Sequence, residues 1–290
     1  MDRIPESELV VNPDGSIFHL KLLPEQVPDN VILVGDSGRV PWVCDQLEGS
    51  EKLTSNREFT SARGWFNSQP VLVLSTGIGT DNMDIVVNEL DALVNINLQT
   101  RMVSPERRSL RMVRIGTSGA LQPAIPVGTA VASRWSLGLD GLLHYYRRPD
   151  DPERIALEKD MKEYILWPGT LPPLYGTRCG DEYPALLADQ FQWGITVAAH
   201  GFYGPQGRSL RARLAHQGLN EELARYSFRG VPVSNFEMES SALYGLSEIL
   251  GHSALTVCLI IANRIRKEFM SDYQEAMKKM IGALLKKIII

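Results

Sequence analysis

Met112-Val113-Arg114-Ile115-Gly116-Thr117-Ser118-Gly119 is an apolar run that closes on glycines and hydroxyls, with an arginine inside it. Five further short runs have the same β-branched character and end near Gly, Ser or Asn: Val31–Val34, Val71–Leu74, Thr129–Ala132, Ile195–Ala199 and Leu255–Ile261. Nearly continuous apolar runs of this length are what strands covered on both faces require. Amphipathic segments alternate with them. Met83–Leu98 sets Met83, Val86, Val87, Leu90, Leu93, Val94 and Leu98 at helical spacing, and Glu239–Leu250, Glu268–Ile289 and a stretch around Ile155–Ile165 also read as helices. The expected fold is α/β: one domain over residues 1–290, with a central mixed, partly barrel-like β-sheet flanked by helices.

The segment from about 138 to 183 breaks the rhythm, being rich in Pro, Tyr, Arg and Asp. It is expected to be a surface insertion carrying the 155–165 helix, placed as a lid or a subunit contact.

The bulk properties bound the function. The 290 residues are 44% hydrophobic and 22% charged, with a net charge of -4, so no global field favours nucleic acid. Arginines do cluster at 101–114 and 208–213, but without interleaved aromatics. Cys44, Cys179 and Cys258 fit neither a disulfide framework nor a zinc site. His144, His200, His216 and His252 lack metal-ligand spacing, so no metal is expected. The amino terminus does not read as a secretory signal, and no stretch approaches the roughly 18 apolar residues that span a bilayer. No membrane partner and a cytoplasmic location are therefore expected.

Three islands carry the chemistry, each following an apolar run. Gly35-Asp36-Ser37-Gly38-Arg39 joins flexible backbone, which lets N–H groups approach an anion, to an arginine that can grip phosphate oxygens in two prongs. It is neither a dinucleotide fingerprint nor a Walker loop, and alone it reads as a tight turn. Arg114-Ile115-Gly116-Thr117-Ser118-Gly119 changes that balance. Alternation places Arg114 and Gly116 on one side of the strand, and an arginine there is costly unless paired. Two arginine–glycine turns from separate strands make an anion site. Asn235-Phe236-Glu237-Met238-Glu239 adds two carboxylates flanking a methionine, which suits a sugar. Arg57, in Asn56-Arg57-Glu58, is either a third cation or a partner for Glu58.

With Ser75-Thr76-Gly77-Ile78-Gly79 added to the second and third islands, the chain resembles the nucleoside phosphorylase superfamily of purine and uridine phosphorylases, most closely its uridine phosphorylases. The likeness runs from about His19 to Arg264. It implies that Gly35, Arg39, Arg114 and Thr117 hold phosphate, and that Met238 and Glu239, with Glu237 nearby, hold the ribose. It further implies that His19 and Arg57 reach a neighbouring subunit's site, touching the ribose 5′-hydroxyl and the phosphate respectively. A homo-oligomer with shared sites, dimer or hexamer, follows from the same likeness.

Phe202-Tyr203-Gly204-Pro205-Gln206-Gly207-Arg208 supplies a base end: a ring that can stack on a flat heterocycle, an amide offering donor and acceptor, and a cation. The resemblance carries base-binding roles to Phe202, Gln206 and Arg208, and makes Arg114, Gln206, Arg208 and Glu239 the catalytic set. Purine phosphorylases of the superfamily place an aspartate after the last core strand. Here the stretch reads Ile260-Ile261-Ala262-Asn263-Arg264, and Asn263 cannot act as a general acid. The implied reaction is therefore reversible phosphorolysis of uridine to uracil and ribose 1-phosphate, in pyrimidine salvage, with inorganic phosphate as co-substrate and no organic cofactor. A purine phosphorylase and a water-using nucleosidase of the same fold are the alternatives. Ser37 stands where the phosphate loop of the family has proline. Asn82 stands near a serine that, with Glu58 and the Ile78 carbonyl, can hold potassium in the family, so bound potassium is not expected.

Overall fold

The computed structural model describes residues 3–187 and 190–289. Four strands come first: β1 (Asn30–Val34), β2 (Glu48–Asn56), β3 (Phe59–Phe66) and β4 (Gln69–Ser75). The helices α1 (Val40–Cys44) and α2 (Thr80–Asn95) follow β1 and β4, and a small ribbon of β5 (Ile96–Asn97) and β6 (Met102–Val103) leads to β7 (Arg111–Ala120). Next come β8 (Ala130–Gly138), α3 (Pro152–Tyr164), β9 (Tyr175–Arg178), α4 (Tyr183–Leu187), β10 (Gln192–Ala198), α5 (Leu219–Arg225), β11 (Ser227–Phe228) and β12 (Val231–Glu237). The chain ends in α6 (Ser240–Leu250), β13 (Ser253–Asn263), β14 (Glu268–Phe269) and α7 (Gln274–Ile288).

One twelve-stranded mixed sheet organises the chain. Strands β4, β1, β7 and β13 are parallel, as are β8, β10 and β12. Antiparallel pairings of β13 with β8, and of the ends of β12 and β7, join the two groups and close β7–β13–β8–β10–β12 into a five-stranded barrel. All six apolar runs became strands because both faces are covered. Val31 to Val34, Val71 to Leu74 and Leu255 are fully buried against α2, α6 and α7. A second apolar cluster around Trp135, Leu137, Leu157, Met161, Tyr226 and Phe228 packs under α3 and α5.

Several expectations are corrected. The helix read over 83–98 starts at Thr80 and stops at Asn95, because Ile96 enters the β5–β6 ribbon. The terminal helix starts at Gln274 rather than Glu268, since Glu268 and Phe269 pair with β13. The 138–183 segment does carry a helix, capped by the Asp151 carboxylate on the Glu153 and Arg154 amides, but it does not simply lie over the surface. Its β9 adds to β8, and Tyr175 is buried. The β2–β3 hairpin has no signal in the sequence: β2 is mostly polar and exposed, so no apolar alternation marks it.

Candidate active site

A cavity of about 820 Å³ opens where β1, β4, β7, β12 and β13 end, the carboxyl ends at which α/β sheets place their sites. Gly35, Arg39, Arg114, Thr117, Phe202, Gln206, Arg208, Glu237, Met238 and Glu239, ten of the twelve residues singled out from sequence, line it.

The two arginines converge. A Cβ on Gly35 would lie 3.8 Å from Nη2 of Arg114 and 4.0 Å from Nη2 of Arg39, so only glycine leaves the space between them open. Both are buried, and both keep an Nε–H without a partner among the described residues. Burial lowers the Arg39 guanidinium, and the charge of Arg114 lowers it further. An oxyanion placed there would satisfy orphan donors and relieve like-charge repulsion at once.

Arg114 is also gripped from the sugar end. Its Nη1 stands 3.0 Å from Glu237 Oε2, and its Nη2 donates to Glu239 Oε2. Burial works against its charge, but Glu239 and Glu237 outweigh this and hold it firmly protonated. Glu237 starts α6: its carboxylate accepts from the Glu239 amide at 3.0 Å and from the Ser240 amide and hydroxyl at 3.0 and 2.5 Å. Glu239 Oε1 accepts one backbone bond, from Gly79 at 2.7 Å. Gly79 has φ +104, which a side chain would strain, and so presents its N–H there. Burial pushes the Glu239 carboxyl up to about 7, with Arg114 opposing and Glu237 adding.

At the far end, Arg208 donates to Gln206 Oε1 and to the Phe202 carbonyl, and its guanidinium lies 3.9 Å from the Phe202 ring centre. One face of Phe202 is therefore covered by a cation, and the acceptor of Gln206 is taken. Burial, then Arg264, lowers Arg208 to about 10. Arg264, not singled out from sequence, donates to the Gln206 and Gly207 carbonyls and so ties the base loop to the end of β13. A register shift between Ile260 and Ala262 turns Ile261 and Ala262 toward the cavity. Asn263 spends its amide on the Gln122 and Ile125 carbonyls and its oxygen on the Ile265 and Arg266 amides.

His19 and Arg57 do not line the cavity. His19 is pinned by Glu89, which takes its ring Nδ1 at 2.6 Å and its backbone N–H at 3.0 Å. Arg57 is exposed at the β2–β3 tip with φ +54. Glu58 and Asn82 both crowd Gly77 at the rim, where Asn82 donates toward the Ile78 carbonyl at 3.4 Å. Among the described residues no cluster of three His, Cys, Asp or Glu is arranged for a metal.

Fold and cleft define an α/β protein whose cavity joins two converging arginines at one end to the polar Gln206–Arg208 loop at the other. Residues 29–289 match the phosphorylase superfamily, and the chain belongs to that family. A uridine phosphorylase of Haemophilus influenzae is 31% identical over 267 residues, covering 89% of this chain and 90% of its own. One of Thermococcus kodakarensis is 28% identical over 275 residues, covering 93% and 85%. A solved Trypanosoma brucei nucleoside phosphorylase, described as showing uridine phosphorylase activity, has a TM-score of 0.85 at 26% identity and covers 97% of this chain and 99% of that one.

Proposed function

We propose that this protein cleaves uridine with inorganic phosphate, reversibly, to uracil and ribose 1-phosphate. The observation that carries the reading is the convergence of Arg39 and Arg114 over Gly35, in one cavity with Glu239 and with the Gln206–Arg208 loop. Phosphate sits between the two guanidiniums, with Thr117 beside it, and the ribose lies over Met238 with its hydroxyls on Glu239. A phosphate oxygen forms the bond to C1′ while the C1′–N1 electron pair leaves with the base. Positive charge on the sugar faces the phosphate dianion. Negative charge on the uracil faces Arg208 and the amide of Gln206, which pivots off Arg208 to read the ring. Preorganised charge does the work, without a protein nucleophile.

Two observations favour the pyrimidine reading over its relatives. Asn263 has no proton to give a purine N7, and all its hydrogen-bonding groups are spent on the loop. The paired arginines have no use in a hydrolase that takes water. The site uses no organic cofactor. His19 and Arg57, outside their own cavity, complete that of a second copy in a homo-oligomer, and the protein serves pyrimidine salvage in the cytoplasm.

The decisive assay is free uracil released from uridine with and without phosphate. Release that requires phosphate, and exceeds release of hypoxanthine from inosine, is expected. Equal release in phosphate-free buffer would make the chain a nucleosidase.

A further inference from the structure

The turn that carries the Gln206 side chain is anchored from outside the cavity. Gly204–Gln206 form a short 3-10 turn that ends at Gly207 in the left-handed region, φ +67. Within it the Gln206 amide donates to the Tyr203 carbonyl at 3.1 Å, the Gly207 amide to Gly204 at 2.8 Å and the Arg208 amide to Tyr203 at 2.8 Å. Gln206 itself is buried and lines the cavity.

The Gln206 carbonyl is gripped by side chains of two distant elements. Arg264, just after β13, donates to it through Nη1, and Asn220, in the first turn of α5, donates through Nδ2 at 3.0 Å. A carbonyl only accepts, so the Asn220 amide stands one way round, nitrogen toward the turn. Gly207 leaves room for this contact: a Cβ there would collide with the Asn220 amide. The two donors differ in kind. Arg264 lines the cavity on a long side chain with many torsions, whereas Asn220 is short, sits on a helix and does not line the cavity. The shorter side chain has less freedom to lose and so fixes its partner more firmly.

We propose that Asn220 is a positioning residue for base recognition: from outside the cavity it fixes the Gln206 backbone, so that the Gln206 side-chain amide meets the pyrimidine from a set origin. The inference rests on the uridine-cleaving reading. Without substrate the Gln206 oxygen is held by Arg208, so the amide swings to reach a base. A swing about a fixed backbone ends in one place, and a swing about a loose one does not. Negative charge grows on the base as the C1′–N1 bond breaks, and a donor held in place then gains strength in the transition state. A misplacement of about 1 Å is enough to be felt in the rate.

The test is a double-mutant cycle. Asn220→Ala should lower kcat/KM for uridine roughly fivefold, the loss of one hydrogen bond, with the KM for phosphate unchanged. In a Gln206→Ala background the same substitution should cost nothing further, because the group it aims is gone. Equal losses in the two backgrounds, or a loss shared with the phosphate KM, would overturn the proposal and make Asn220 a general support. Asn220→Asp, of the same shape but without the donor, should lose at least as much and replaces Asn220→Ala if that variant fails to fold. Calorimetric binding of uracil reads the same cycle for variants too slow to assay, with the same two outcomes. Hydrogen exchange of the Gly207 and Arg208 amides, which close the turn, decides without turnover. Faster exchange there in Asn220→Ala, with exchange in β1 unchanged, supports the anchor, and unchanged exchange at the turn defeats it. A chain whose turn loosens in this way yet releases no base from uridine would retire the phosphorolysis reading and leave the anchor in place.

Discussion

Arg114 cannot neutralise both carboxylates that flank it. Glu237 accepts from two backbone amides and the Ser240 hydroxyl, whereas Glu239 accepts from one amide, so burial is least offset at Glu239. Its carboxyl is pushed up to about 7 in the folded chain, above the ordinary 4.5 that applies when unfolded. The sign follows: the stabilising contribution of the neutral form is complete below about 4.5 and is lost as pH rises through about 7. A displacement of this size is worth on the order of 3 kcal/mol. Glu239→Gln should therefore lose less thermal stability than the parent between pH 5 and pH 8 (roughly the two sides of that window), by a few degrees. Parallel melting curves for the two proteins would show that Glu239 is ionised throughout. That Arg39, Arg114 and the two carboxylates gather at one cavity was legible in the sequence, because charge next to glycine at a strand's end has few structural uses. The place of Arg264 was not, since the Gln206 and Gly207 carbonyls it touches lie on a distant loop.

Strand β9 is where element-scale reading fell short. Its four residues, Tyr175-Gly176-Thr177-Arg178, have no apolar periodicity, and their pairing with β8 is a tertiary choice. Tyr175 lies flat across Gly138, and its hydroxyl bonds buried Asp140 and Ser241 on α6, adjoining the helix start that Glu237 caps. A Cβ on Gly138 would stand 2.1 Å from Tyr175 Cζ, so the ring must leave or the strands must part. Gly138→Ala should cost about 1–3 kcal/mol or more, read as a lowered melting temperature, and relief of that loss by Tyr175→Ala would assign it to this contact. An unaffected melting temperature would mean that β9 yields freely. Helices α2 and α7 were readable because their apolar stripes are long. The end of α2 and the start of α7 were not, because Ile96 and Glu268 are taken by strand partners that periodicity does not report.

At the scale of the whole molecule, ten singled-out residues share one cavity while His19 and Arg57 lie outside its lining. If a second copy receives them, inactivating the two contributions on different chains should complement. Arg208→Ala and His19→Ala subunits, each poorly active alone, should recover roughly a quarter of full activity when refolded together as random dimers, since half of the assemblies then hold one intact site. Mixtures no better than the sum of their parts would confine each site to its own chain.

By itself, the order of residues determined that buried strands alternate with helices, and that cationic and acidic side chains stand at the strand ends. Those outcomes depend on local periodicity and on the cost of burying charge. Only the tertiary structure decided that β12 turns back on β7 to close a barrel, that Arg208 covers the Phe202 ring, and that one arginine serves two carboxylates. Each of these depends on which distant groups become neighbours, a relation set by packing across the sheet and absent from any window along the chain.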